Sequence, residues 1–191
     1  MNSDTTSVKK AAVIFDTRYG NTEKVAKALA KGMQRSPIEV ACFNIGDVQT
    51  EALAEFDLLA IGAPTHYRTA SKPMKDFLDK LERANLRGRR GFAFDTRVES
   101  FWAGSAAKFI ENKMKALGVQ IVKPYSSAMI RRPEEEEEES KEAETGKTKE
   151  ERRARRAEEK EEKRAKVVLE EGTEQLFEKI GIEIGEILSR S

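Results

Sequence analysis

Ala11-Ala-Val-Ile-Phe-Asp-Thr-Arg-Tyr-Gly-Asn-Thr22 is the stretch on which the fold turns. Its first five residues, Ala11–Phe15, are wholly apolar, as expected of a short strand covered on both faces. Asp16–Asn21 reads as a turn. From Thr22 to about Met33 the spacing becomes helical, with Val25, Ala26, Leu29 and Met33 on a single apolar face. A buried strand thus passes through a short polar turn directly into an amphipathic helix.

The same alternation continues outward. Ser36-Pro37 punctuates, and Ile38–Phe43 reads as a second strand. Glu51–Phe56 is expected to form a short helix carrying Leu53 and Phe56, and Asp57–Gly62 (DLLAIG) is another buried-strand run. Pro73 suits the first turn of a helix that carries Met74, Phe77, Leu78 and Leu81 to about Arg83. Gly91–Phe94 is a short fourth strand. Ser105–Leu117 is helical with Ile110, Met114 and Leu117 inward and Gly118 as its C-terminal cap. Val119–Val122 begins a fifth strand that resumes through Ala128–Ile130. A last helix, roughly Glu170–Arg190, is expected to bury Leu176, Phe177, Ile180, Ile184, Ile187 and Leu188. Strands alternating with helices at this spacing require crossover connections, which gives an α/β fold: a five-stranded, doubly wound, mainly parallel sheet. Periodicity alone leaves the strand order open.

Length and charge set the limits. With 191 residues the chain accommodates one domain and an appendage, and 36% of its residues are charged. Lys and Arg balance Asp and Glu to a net charge of +1, which calls for no nucleic acid. One cysteine, Cys42, rules out an intramolecular disulfide; lying among apolar neighbours, it reads as packing. The start, Met1–Ser7, has no apolar run, and no stretch approaches the ~20 apolar residues of a membrane span, so a cytoplasmic protein is expected. Between Pro133 and Lys166 nothing apolar exceeds alanine. Glu134–Glu139 are six consecutive glutamates, followed by a Glu/Lys/Arg/Ala stretch with opposite charges four apart at Glu151/Arg155, Glu159/Lys163 and Glu162/Lys166. The expected organisation is a flexible tail over 1–8, a domain over 9–132, a charged insertion over 133–166 that is partly disordered or helical, and a C-terminal helix over 167–191 that completes the domain.

The first strand–helix loop has anion-binding chemistry. Thr17 and Thr22 offer hydroxyl donors, Gly20 leaves room for the backbone to wrap a ligand, and the helix start presents N–H groups to a phosphate. The loop has no lysine of the nucleotide-triphosphatase kind. An ordinary turn built on Gly and Asn would look similar.

Val13-Ile-Phe-Asp-Thr-Arg-Tyr-Gly-Asn-Thr22, with Ala26 and Leu29 on the following helix, resembles the phosphate-loop signature of the flavodoxin family. Gly62-Ala-Pro-Thr-His-Tyr67, at the end of the third strand, is similar to that family's loop along the isoalloxazine ring. Asp95-Thr-Arg97, after the fourth strand, resembles the segment on the ring's other side. The resemblance spans about Lys9 to Ile130 plus the last helix. It implies strand order 2-1-3-4-5 and FMN at the switch point between the first and third strands, the arrangement for which flavodoxin is the standing example. It also implies cofactor-binding roles for Thr17, Arg18, Tyr19, Gly20, Asn21 and Thr22, for Pro64, Thr65, His66, Tyr67 and Arg68, and for Asp95, Thr96 and Arg97, with no catalytic residue and no metal. Tyr67 and Trp102 are the aromatics available for stacking. The sequence departs from acidic electron carriers by placing Arg18, His66, Arg68 and Arg97 in these loops, against Asp16, Asp95 and Glu99.

Three functions fit this resemblance. The first is an FMN protein passing electrons between partner proteins. The second is an FMN-dependent NAD(P)H:quinone-type oxidoreductase acting on a small-molecule acceptor, including a relative of the menaquinone-dependent protoporphyrinogen oxidases. The third is a flavin-free interaction scaffold.

Overall fold

Apolar strand segments that must be covered on both sides dictate the architecture, and the chain satisfies this with one sheet between two helical layers. The computed structural model describes residues 8–98, 104–131, 158, 161 and 166–190. The elements run β1 (Lys10–Phe15), α1 (Asn21–Met33), β2 (Glu39–Asn44), a 3-10 turn (Thr50–Glu55), β3 (Leu58–His66), β4 (Thr69–Ala70), α2 (Lys72–Lys80), a second 3-10 turn (Leu81–Arg83) and β5 (Arg90–Val98). They continue with α3 (Ala106–Ala116), β6 (Gln120–Ile121), β7 (Ser126–Arg131), β8 (Val168–Leu169) and α4 (Thr173–Ser189). Expected features over Met1–Ser7, Glu99, Trp102, the six-glutamate run and most of the charged pairs lie outside the described residues.

The sheet order is β2-β1-β3-β5-β7-β8, parallel except for the β7–β8 pair. Counting β6 and β7 as one interrupted fifth strand, both paired with β5, this is the expected 2-1-3-4-5 order. Two short antiparallel additions were not expected: β4 folds back on the end of β3, and β8 pairs with β7 through Ile130–Leu169 and Arg131–Val168.

Alternation along the strands splits the core in two. Ala11, Val13, Phe15, Leu58, Ala60, Phe92 and Phe94 face α1 and α4, meeting Val25, Leu29, Met33, Phe177, Ile180 and Ile184. Ala12, Ile14, Leu59, Ile61 and Ala93 face α2 and α3, meeting Leu53, Met74, Leu78, Ile110 and Met114. Two helical expectations need correction. Leu176 and Ile187 remain 52% and 40% exposed, because the buried stripe of α4 passes through Thr173, Phe177, Ile180, Gly181, Ile184, Gly185 and Leu188. Cys42 is exposed rather than packed, since β2 is the sheet's edge and only half covered.

Helices α1 and α4 touch backbone to backbone. A Cβ on Gly32 would lie 2.0 Å from the Glu178 carbonyl oxygen, and one on Gly181 would lie 2.1 Å from that of Leu29. Beside this seam Glu178 accepts from Lys31 Nζ at 2.9 Å and Arg35 Nη2 at 2.6 Å, and these bonds hold its carboxyl below the usual glutamate range. A depressed carboxyl stabilises the fold above its unfolded pKa, and that contribution is lost as pH falls through the folded value. Glu178→Gln is therefore expected to lower the urea midpoint near neutral pH, with the gap to the parent closing below the glutamate range. An undiminished gap in strong acid would assign the effect to packing instead. Among the described residues no helix is long and apolar enough to cross a membrane.

Candidate functional site

Three adjacent strands, β1, β3 and β5, deliver the three resemblance-bearing segments to one edge of the sheet. The carboxyl end of β1 leads into Asp16–Gly20 and then α1. Gly20 adopts φ 82° at the helix cap, the left-handed region in which a β-carbon is strained. It provides no side-chain cap, so the first-turn N–H groups of α1 receive no side-chain acceptor from it. The Gly20 N–H donates instead to Thr17 Oγ1 at 3.0 Å, which bends the loop and leaves the Thr17 hydroxyl proton for another acceptor. Asn21 is buried and turned inward, donating through Nδ2 to the Val167 carbonyl at 2.8 Å. Thr22 is also buried, with its hydroxyl 2.8 Å from that of Thr96. Arg18 and Tyr19 point outward. Both donate to Glu161 Oε1, at 2.6 Å from Arg18 Nη2 and 2.5 Å from the Tyr19 hydroxyl.

The second segment is less loop-like than expected. Pro64, Thr65 and His66 belong to β3, and a tight hairpin returns through β4 with His66 opposite Thr69. Its two central residues, Tyr67 and Arg68, have φ of 45° and 70°. That is the backbone of a two-residue hairpin turn usually filled by Asn-Gly, and for these side chains it costs about 1–3 kcal/mol each. The turn thrusts Tyr67 out, 79% exposed, with its ring edge-on to His66 at 4.3 Å. Gly104 braces the turn from beneath: a Cβ there would lie 2.3 Å from the Arg68 carbonyl oxygen.

The third segment is likewise strand rather than loop. β5 runs on to Val98, pairing Ala63 with Asp95 and Pro64 with Thr96 on β3. Asp95 is fully buried. Its Oδ2 accepts from Thr65 Oγ1 at 2.9 Å, Ser105 Oγ at 2.7 Å and the Ala107 N–H at 3.0 Å. This carboxylate therefore locks β3, β5 and the start of α3 together. Arg97 donates through Nη1 to the Gly104 carbonyl at 2.8 Å. Two buried polar atoms in this segment, Asp95 Oδ1 and Arg97 Nε, have no hydrogen-bond partner among the described residues.

The three segments are thus cross-linked. Thr22–Thr96 joins the first to the third and Thr65–Asp95 the second to the third, while Ser71, beside the second, donates its hydroxyl to Asp16. Ser71 also caps α2 by accepting from the Met74 N–H at 3.2 Å. Four supporting residues escaped the sequence reading: Ser71, Gly104, Ser105 and Glu161. Ser71 and Ser105 carried a legible signal, each as a helix-capping serine at the start of a helical stretch.

A phosphate-bearing flavin fits this edge on two observations. A helix start capped by a glycine sits beside an available threonine hydroxyl, which suits an anion. Asp95 Oδ1 and Arg97 Nε, unpartnered among the described residues, together with the strained, exposed Tyr67 turn, suit a flat polar ring.

The flavodoxin family model matches residues 13–146. A flavodoxin of Clostridium saccharobutylicum is 36% identical over 88 residues, covering 46% of this chain and 55% of that one. The type A flavoprotein fprA of Rhodobacter capsulatus is 27% identical over 127 residues, covering 64% of this chain and 28% of the relative. The chain thus matches less than two thirds of either relative's length. An archaeal flavodoxin structure superposes with a TM-score of 0.67 at 23% identity, over 94% of this chain and 98% of the other. Rubredoxin oxygen:oxidoreductase of Desulfovibrio gigas gives 0.66 at 13% identity, over 95% and 36%. These two superpositions speak to the fold, and it is the family model, running from β1 past the end of β7 over the segments just described, that speaks to kinship: the chain belongs to the flavodoxin family, whose members are flavin-binding redox proteins.

Proposed function

We propose that the chain holds FMN noncovalently and passes electrons between partner proteins. Thr17, Thr22 and the backbone around Gly20 would take the phosphate. Pro64–Arg68 would flank the ring on one side and Asp95–Arg97 on the other. The observation that carries this reading is the convergence of these segments on the carboxyl ends of β1, β3 and β5, in a chain of this family. FMN supplies an electron reservoir when bound, and the protein's part is to bind, orient and shield it. Thr17 holds the loop in shape while offering its proton, and Asp95 fixes the spacing between the two ring-flanking segments.

A reductase driven by NAD(P)H, an anionic donor, would draw on the arginines of these loops, Arg18, Arg68 and Arg97. Arg18 is paired with Glu161 and Arg97 is bonded to Gly104, so two of those three arginines already serve the chain itself. The carrier reading is therefore the one argued here, with redox proteins as partners.

Thr17→Ala removes a hydroxyl that would bond a charged group, a contact of about 1.5–3 kcal/mol. FMN affinity is expected to fall at least about tenfold by the same figure, while riboflavin affinity stays unchanged, both read by flavin fluorescence quenching. Equal losses for the two ligands would move the phosphate away from this loop.

A further inference from the structure

Glu161 is the feature that the family fold does not require. It comes from the charged insertion, yet its Oε1 gathers two donors from the phosphate loop, Arg18 Nη2 and the Tyr19 hydroxyl. The contact bridges 143 positions of sequence and is accompanied by a second tether, from buried Asn21 to the carbonyl of Val167, where the chain re-enters the domain. Within Asp16–Thr22 the only cationic side chain is Arg18, and Glu161 occupies it at salt-bridge distance. A carboxylate thus sits on two side-chain donors of the loop proposed to hold the phosphate.

Resting on the FMN reading above, we infer that Glu161 is an internal competitor for the phosphate group, a residue that sets how strongly the loop discriminates phosphorylated from unphosphorylated flavin. Two consequences follow from Coulomb's law. A dianion approaching the loop must displace the carboxylate from Arg18 or accept it as a like-charged neighbour, and either costs affinity. Uncharged riboflavin meets neither obstacle. Because Arg18 and Glu161 are about half exposed, at 53% and 44%, the effect is moderate and is screened by salt.

The test uses the full chain and Glu161→Gln, which keeps a hydrogen-bond acceptor for Tyr19 while removing the charge. FMN and riboflavin are titrated separately, at low and at high salt. FMN affinity of the variant is expected to rise about two- to fivefold at low salt, by the size of a half-exposed charge interaction, and the gain should shrink at high salt. Riboflavin affinity should stay constant. An unchanged or reduced FMN affinity in Glu161→Gln, or an equal change for riboflavin, overturns the inference while leaving FMN binding by the parent intact. If neither parent nor variant binds FMN, the cofactor reading falls as well. Tight FMN binding by the variant alone would be the strongest form of support.

Discussion

Asp95→Ala is expected to destabilise the fold by roughly 3–5 kcal/mol, because three buried donors lose their acceptor and each hydrogen bond to a charged group contributes about 1.5–3 kcal/mol. The carboxylate is fully buried, and Oδ2 alone receives Thr65, Ser105 and the Ala107 N–H. Removing it orphans donors on two strands and at the first turn of α3, where a negative charge also complements the helix dipole. Asp95→Asn should cost less, because one carbonyl oxygen still accepts. Urea unfolding of both variants checks this, and a loss under about 1 kcal/mol for alanine would mean that water replaces the carboxylate at little cost. FMN affinity should fall alongside stability, since Thr65 and the turn beyond it hang on the same group.

Gly181→Ala offers a test in which two principles predict opposite signs. In an exposed helix this change would stabilise by about 1 kcal/mol. Here the new methyl would meet the Leu29 carbonyl oxygen at 2.1 Å and the Gly32 Cα at 3.0 Å, and backbone cannot rotate aside as a side chain can. Forcing α1 and α4 apart also opens the layer formed by Leu29, Met33, Phe177 and Ile184. A net destabilisation of about 1–3 kcal/mol is expected, seen as a lower urea midpoint at an unchanged slope. Stabilisation would show that the two helices separate freely.

Sequence reading succeeded where burial and periodicity coincide. Ala11–Phe15 and Asp57–Gly62 had to be covered strands, and Val25, Leu29 and Met33 had to lie on one helix face; all are buried as that pattern requires except Asp57, which precedes its strand. It fell short where polar residues do structural work. Thr65, His66, Asp95, Thr96 and Arg97 look like loop residues, yet they extend β3 and β5, because neighbouring strands and the start of α3 satisfy them. Nothing in the order Phe94-Asp-Thr-Arg97 tells a solvated aspartate from a fully buried one. Glu161 was hidden for the opposite reason. In a stretch dense with charge each carboxylate looks like its neighbours, and only the fold selects the one that reaches Arg18. Leu176 and Ile187 erred the other way, as apolar residues that flank the buried stripe of α4 without joining it.

The pairing of β7 with β8 has a consequence for how much added sequence this chain can carry. Ile130 and Arg131 lie directly opposite Leu169 and Val168, so the chain departs from the sheet and returns to it at the same spot. Once two ends are clasped side by side, the entropy of closing whatever joins them rises only with the logarithm of its length, roughly 0.6 kcal/mol for each doubling for a flexible connection. A segment of almost any size can be spliced between Arg131 and Val168 for a small fraction of a domain's stability. The clasp makes this position a port through which new sequence enters the chain while the five-stranded core is left as it was.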